Sequence, residues 1–181
     1  MCIRDRSKTK KIILSGLLLG LLIVLSRFIS IKTPIIVISF SFIPIMISAY
    51  ILGPLYSCLV AALGDLIGAL LFPFGEYFVG FTIVQGLVGL VYGIVLYKKD
   101  GFFTGKKLIF RLVISSILVL GIIELLIMSL MLHFLYGSAF IAILSTRLIT
   151  KLIMLPIQIL VMYFLSKYII ELTNKYLITE D

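Results

Sequence analysis

The sequence has no tryptophan, a single histidine (His133) and two cysteines, Cys2 and Cys58. That inventory excludes a thiolate or imidazole metal centre and a disulfide framework. Charge is also scarce: Asp, Glu, Lys and Arg make up 13% of the residues, against about 25% in a soluble domain. There is no Walker motif, low-complexity tract or internal repeat, so the chain is not expected to hydrolyse nucleotides by itself. No small-x-small cleavage site follows the first apolar run, where Ser26-Arg27-Phe28 stands instead, so that run reads as a retained helix. Cys2 precedes every hydrophobic stretch and is not placed as a lipoprotein cysteine. The opening Met1–Ser7 differs in character from the rest of the chain and is assigned no function.

What the chain does have is apolar residues, 62% of its 181, and a mean hydropathy of +1.27. A helix crosses the hydrocarbon layer in about 20 residues. The nearly unbroken apolar stretch therefore predicts an all-α membrane protein, a bundle of about six transmembrane helices at about 12–29, 35–53, 55–72, 78–97, 108–132 and 143–170. Punctuation agrees: Lys32-Thr-Pro34, Gly53-Pro54, Phe72-Pro-Phe-Gly75, Lys98-Lys-Asp-Gly101 and Tyr136-Gly-Ser138 fall between spans, while Pro156 falls inside the last. The net charge of +8 sits between the spans and not along a soluble face, which points to anionic lipid and away from nucleic acid. Arg4, Arg6, Lys8, Lys10 and Lys11 precede the first span. Lys98, Lys99, Lys106, Lys107 and Arg111 lie between the fourth and fifth, and Lys167 and Lys175 close the chain. Six spans bring these segments to one side, and the positive-inside rule makes it the cytoplasm, N-in and C-in. The expected organisation is a cytoplasmic tail (1–11), a six-helix substrate-binding domain (12–170) and a second cytoplasmic tail (171–181), in the prokaryotic plasma membrane.

Charged groups within hydrocarbon are costly and face the bundle interior or a wet cavity. Asp65, Glu124, Arg147 and Lys151 qualify, and Arg27 ends the first helix. Arg147 and Lys151 share a helix face through their i, i+4 spacing. Either the two acids and two bases pair internally, or they line a polar pocket open to the outside. Phe28, Phe40, Phe42, Phe72, Phe74, Tyr77, Phe78, Phe81, Phe134 and Tyr136 gather towards the outer loops. An interfacial belt prefers Trp and Tyr, whereas these are mostly Phe. Stacking faces beside an Arg/Lys clamp suit a planar heteroaromatic ligand with acidic groups. Gly16 and Gly20 form a small-xxx-small pair, which permits close helix approach from within or outside the chain.

Collinear segments carry a resemblance. They are Arg27-Phe-Ile-Ser-Ile31, Ser39-Phe-Ser-Phe-Ile-Pro-Ile45, Gly64-Asp-Leu-Ile-Gly-Ala69, Phe72-Pro-Phe-Gly-Glu-Tyr-Phe78, Gly89-Leu-Val-Tyr-Gly93, Leu135-Tyr-Gly137, Arg147-Leu-Ile-Thr-Lys151 and Met154-Leu-Pro-Ile-Gln158. With six helices and no ATPase, the chain resembles the substrate-binding S component of energy-coupling-factor (ECF) vitamin transporters, most of all the folate-specific branch. The resemblance implies high-affinity folate capture outside the cell, a membrane coupling subunit and two cytoplasmic ATPases as partners, and no catalytic residue, metal or cofactor. It implies docking on the coupling subunit through Gly16 and Gly20. The expected binding residues are Arg27, Phe40, Phe42, Asp65, Phe74, Tyr77, Phe78, Arg147 and Lys151. Of these, Arg27, Arg147 and Lys151 are read as holding the glutamate carboxylates and Asp65 as reading the pterin edge. One departure stands out: where the folate branch tends to carry Asn-Thr and then Trp, this chain has Met128-Ser129 and Met131. Competing readings are an S component for another vitamin or pterin-like compound and a membrane scaffold without ligand. A third is an intramembrane enzyme using Glu124 and His133, but nine residues of helix put these about 13 Å apart on opposite faces.

Overall fold

In lipid every backbone N–H and C=O must be satisfied within the protein, so apolar runs of this length fold as helices. The computed structural model describes residues 8–32, 37–72, 77–98, 103–136 and 140–178. Its elements are α1 (Lys8–Arg27), α2 (Phe42–Leu52), α3 (Pro54–Leu71), α4 (Val79–Leu96), α5 (Gly105–Ile117), a π-helical segment (Leu118–Ile127), α6 (Met128–Tyr136) and α7 (Phe140–Ile178). α5, the π segment and α6 run on without a break, so the described residues form six rods, as the hydropathy pattern predicts.

Five rods are long and apolar enough to cross a bilayer: Lys8–Arg27, Pro54–Leu71, Val79–Leu96, Gly105–Phe134 and Leu144–Glu171. They carry exposed apolar side chains such as Leu17, Leu55, Ile83, Phe110 and Ile153, the surface a lipid-embedded protein presents. The second expected span, 35–53, differs. Its helix has 11 residues, about 16 Å, roughly half the hydrocarbon thickness. Before it, Ile31–Lys32 and Val37–Ile38 pair as a short antiparallel ladder, with Ile31 opposite Ile38 and Lys32 opposite Val37. β-Branched Val37 and Ile38 favour extended backbone. The hydroxyls of Ser39 and Ser41 then bond each other at 2.7 Å as the chain turns into α2.

The core gathers Met46, Ala49, Tyr50, Tyr92, Leu112 and Met162, all fully buried. α3 and α4 pack almost backbone to backbone. A Cβ added at Gly93 would overlap the Cα of Pro54, and one at Gly89 would overlap the carbonyl of Ser57. The Ser57 hydroxyl donates to the Gly89 carbonyl at 2.7 Å, which fixes the register of the two helices. Gly53, at φ +96°, makes the sharp reversal between α2 and α3 that an L side chain would strain. Beside the basic loop between α4 and α5, the Arg111 guanidinium stacks 3.9 Å over the Phe103 ring and donates to the Val95 carbonyl at 2.7 Å. Buried Tyr50 donates to the Phe103 carbonyl at 3.3 Å.

Candidate functional site

A cavity of about 230 Å³ opens among α2, α4, the π segment and α7. On α7 the helical period puts Arg147, Lys151, Met154 and Gln158 on one face, at i, i+4, i+7 and i+11, and all four line the cavity, with Thr150 beside them. From the opposite rod come Val119, Leu120, Glu124 and Met128. Val119 and Glu124 are five residues apart, the repeat of a π-helix and not of an α-helix, so the widened segment brings both to one wall. α4 supplies Gln85, Val88 and Tyr92, and the start of α2 supplies Ser39, Ser41, Phe42 and Ile45.

The polar groups divide into layers. Lys151 Nζ forms a close ion pair with Glu124 Oε2, partly buried on both sides. Arg147 Nη1 donates at 3.4 Å to the backbone carbonyl of Glu124. Among the described residues no carboxylate lies within ion-pair distance of it; Glu124, the nearby acid, pairs closely with Lys151, so two cations share one carboxylate. Eleven residues further along α7, about 16 Å, Gln158 Nε2 donates to the hydroxyl of Tyr92. Gln158 is 2% exposed and Tyr92 fully buried, yet both line the cavity.

A second polar cluster lies apart from the cavity lining. Arg27 Nη2 stands 4.0 Å from Asp65 Oδ1. The Thr82 hydroxyl donates to Asp65 Oδ2 at 3.0 Å. Having spent its single proton there, it accepts at 2.8 Å from the Tyr77 hydroxyl. The relay ties together the adjacent ends of α1, α3 and α4. Gly68 makes room for it, since a Cβ at that position would sit 2.9 Å from Arg27 Nε. Gly64, one turn earlier, likewise leaves space for Leu22.

Of the residues singled out from sequence, Phe42, Arg147 and Lys151 line the cavity. Phe40 packs on Phe42 with ring centroids 6.2 Å apart. Arg27, Asp65 and Tyr77 meet in the second cluster, where Asp65 pairs with Arg27 and not with Arg147 or Lys151. Phe78 is packed edge-on against Phe81 at 5.8 Å, and Phe74 lies outside the described residues. Gly16 and Gly20 are exposed, and a Cβ at either would meet nothing within 4 Å among the described residues outside its own stretch of helix. Sequence reasoning named Glu124 among the charges that pair or line a pocket, though not as a ligand contact, and did not assign Gln85, Tyr92, Thr150 or Gln158 to the site. Glu124 is visible in sequence as a charge in an apolar run, and Gln85 and Gln158 as amides in such runs.

Comparison with known proteins places this arrangement. Residues 10–166 match the family described as ECF transporter, substrate-specific component. The folate transporter FolT of Clostridium novyi (strain NT) is 34% identical over 170 residues, covering 93% of this chain and 95% of that protein. The folate transporter FolT of Leuconostoc mesenteroides subsp. mesenteroides is 35% identical over 173 residues, covering 92% and 90%. Among solved structures, the crystal structure of FolT bound with folic acid is similar at 36% identity and a TM-score of 0.80, over 88% of this chain and 94% of that one. The S component of a bacterial ECF transporter, 22% identical with a TM-score of 0.61 over 90% and 99% of the two chains, shares the fold. This multi-pass membrane protein therefore belongs to the substrate-specific components of ECF transporters.

Proposed function

We propose that the chain is the folate-binding subunit of an ECF uptake transporter, capturing the vitamin in the α2–α4–α7 cavity without doing chemistry on it. One observation carries the reading: among its described lining residues, a cavity of mixed polar and apolar walls holds a lysine and an arginine with one carboxylate between them. That leaves net positive charge for an acidic ligand. Glutamate carboxylates fit the Arg147–Lys151 layer, because charge-assisted hydrogen bonds are the strong ones and the arginine fork matches a carboxylate. The similarity to a folic-acid-bound relative supports the same ligand.

The basic segments lie on the cytoplasmic side in this reading, and Ser39 and Ser41 mark the end from which ligand enters. Energy for release comes from the coupling subunit and its two ATPases. Gly16 and Gly20 offer that subunit a face where another helix backbone can approach closely, since none of the described residues of other elements fills it. Mass spectrometry of small molecules released from the purified, denatured protein tests the function, with folate the expected product. Recovery of a different pterin-like compound would favour the runner-up, for which the one specific observation is Met128 in the cavity wall. Recovery of nothing, with no folate binding by calorimetry, would overturn the proposal.

A further inference from the structure

We infer that Tyr92 and Gln158 form a lactam-reading pair that selects the head of the ligand, an inference that rests on the folate reading above. The pair is built as an adjacent donor and acceptor. Gln158 Nε2 gives one proton to the Tyr92 hydroxyl and directs the other at the Met162 thioether, 3.9 Å away. Met162 Sδ also accepts from Ser116, at 3.8 Å. A sulfur acceptor on that side fixes the amide with its nitrogen against Tyr92 and Met162, which leaves Oε1 accepting from no described residue. The Tyr92 hydroxyl, already accepting, keeps its own proton to donate. Both side chains line the cavity and both are nearly or fully buried, where a donor or acceptor left unpaired is costly.

The complement to an O–H donor beside a C=O acceptor is a group presenting C=O and N–H on the same edge. A carboxylate has acceptors only and would set one oxygen against Gln158 Oε1. A trans amide turns its C=O and N–H to opposite sides. A cis lactam presents both together, as the 4-oxo and N3–H edge of a pterin does. The ligand therefore sits head towards Tyr92 and Gln158, with its carboxylates in the Arg147–Lys151 layer, about 10 Å (Lys151) to 16 Å (Arg147) along α7. Val88 and Met154, which also line the cavity, are apolar neighbours for a flat ring.

The test compares folic acid with aminopterin, its 2,4-diamino counterpart. Aminopterin keeps every other feature but turns the lactam acceptor into a donor and the N3 donor into an acceptor. Calorimetry on the ligand-free full-length chain in detergent should show folic acid preferred by at least about 100-fold, because a site built to hydrogen-bond one pattern rejects the inverse strongly. Tyr92→Phe should weaken folic acid by roughly tenfold or more and should not weaken aminopterin, whose 4-amino donor then meets no opposing O–H. Met162→Leu removes the sulfur that orients the amide. It should narrow the preference at least about fivefold, mainly by improving aminopterin, whereas a merely structural loss would weaken both ligands alike. Equal wild-type affinities, or variants that shift both ligands together, would overturn the lactam pair while the folate reading stands. Failure of the wild-type chain to bind folic acid at all would overturn both.

Discussion

Arg147 and Lys151 look equivalent on one helix face, but the structure makes them unequal, and mutation should show it. Among the described residues Arg147 hydrogen-bonds a backbone carbonyl, at 3.4 Å, and has no carboxylate within ion-pair distance, so in the proposed reading Arg147→Ala removes chiefly a ligand contact. A hydrogen bond to a charged group contributes about 1.5–3 kcal/mol, and each 1.4 kcal/mol is a factor of ten. Folate affinity should therefore fall about 10- to 150-fold, with the melting temperature nearly unchanged. Arg147→Lys should fall between, keeping the charge but losing the two-pronged geometry. Lys151→Ala does two things. It removes a cation, and it strips Glu124 of the partner that neutralises it, leaving a partly buried carboxylate beside an anionic ligand. Its loss should exceed that of Arg147→Ala. Adding Glu124→Gln to Lys151→Ala should recover part of it, with a coupling of about 0.5–3 kcal/mol. Titration calorimetry on ligand-free protein in detergent, with a thermal melt of each variant, reads both quantities. A folded Arg147→Ala protein of unchanged affinity would refute the clamp. A Lys151→Ala loss that Glu124→Gln does not relieve would refute the division of labour.

Four further outcomes are expected. Asp65→Asn weakens the attraction to Arg27 and loses one acceptor arrangement; if folate binding then stays normal, Asp65 serves the junction of α1, α3 and α4 and does not read the ligand. In a cysteine-free background, cysteines at Phe28 and Lys106, both exposed, should label with an impermeant reagent from opposite sides of the membrane; same-side labelling would refute the six-span, N-in and C-in arrangement. Replacing Gly16 and Gly20 together by leucine should leave folate binding in detergent near normal and abolish uptake by the whole transporter, because among the described residues no other part of this chain lies within 4 Å of either added Cβ; intact uptake would place docking elsewhere. Gly93→Val sets a branched side chain against the Pro54 backbone, where overpacking costs about 1–3 kcal/mol or more; an unchanged melting temperature would show that α3 and α4 can move apart.

The helices were legible in sequence wherever lipid imposes the rule. An apolar run with no other way to satisfy its backbone becomes a helix, and the five long rods follow. Residues 37–41 escaped because a short apolar run reads alike as strand or helix. There the pairing of Val37 and Ile38 with Ile31 and Lys32 decides the conformation, and no local period reports a pairing between segments. The cavity shows the same boundary. The shared face of Arg147 and Lys151 follows from spacing within one helix. The partner of Lys151 does not, because the position of Glu124 depends on how its rod is rotated. The π segment changes that rotation without any signature in composition.

The two glycine pairs show the limit most sharply. Gly16 with Gly20, and Gly64 with Gly68, have the same small-xxx-small spacing, and sequence alone cannot tell which faces inward. The difference lies in what crosses them. Leu22 and Arg27 of α1 fall over Gly64 and Gly68, and that contact sets Arg27 beside Asp65. Leu22 lies on the side of α1 opposite Gly20, so its packing on Gly64 leaves Gly16 and Gly20 open, while Arg27 reaches Gly68 and Asp65 from the last residue of the helix. The packing of α1 on α3 thus accompanies both the Arg27–Asp65 relay and, in the proposed reading, the docking stripe. Substitutions at Gly68 should therefore disturb this chain in isolation, and substitutions at Gly16 or Gly20 only when its partner is present.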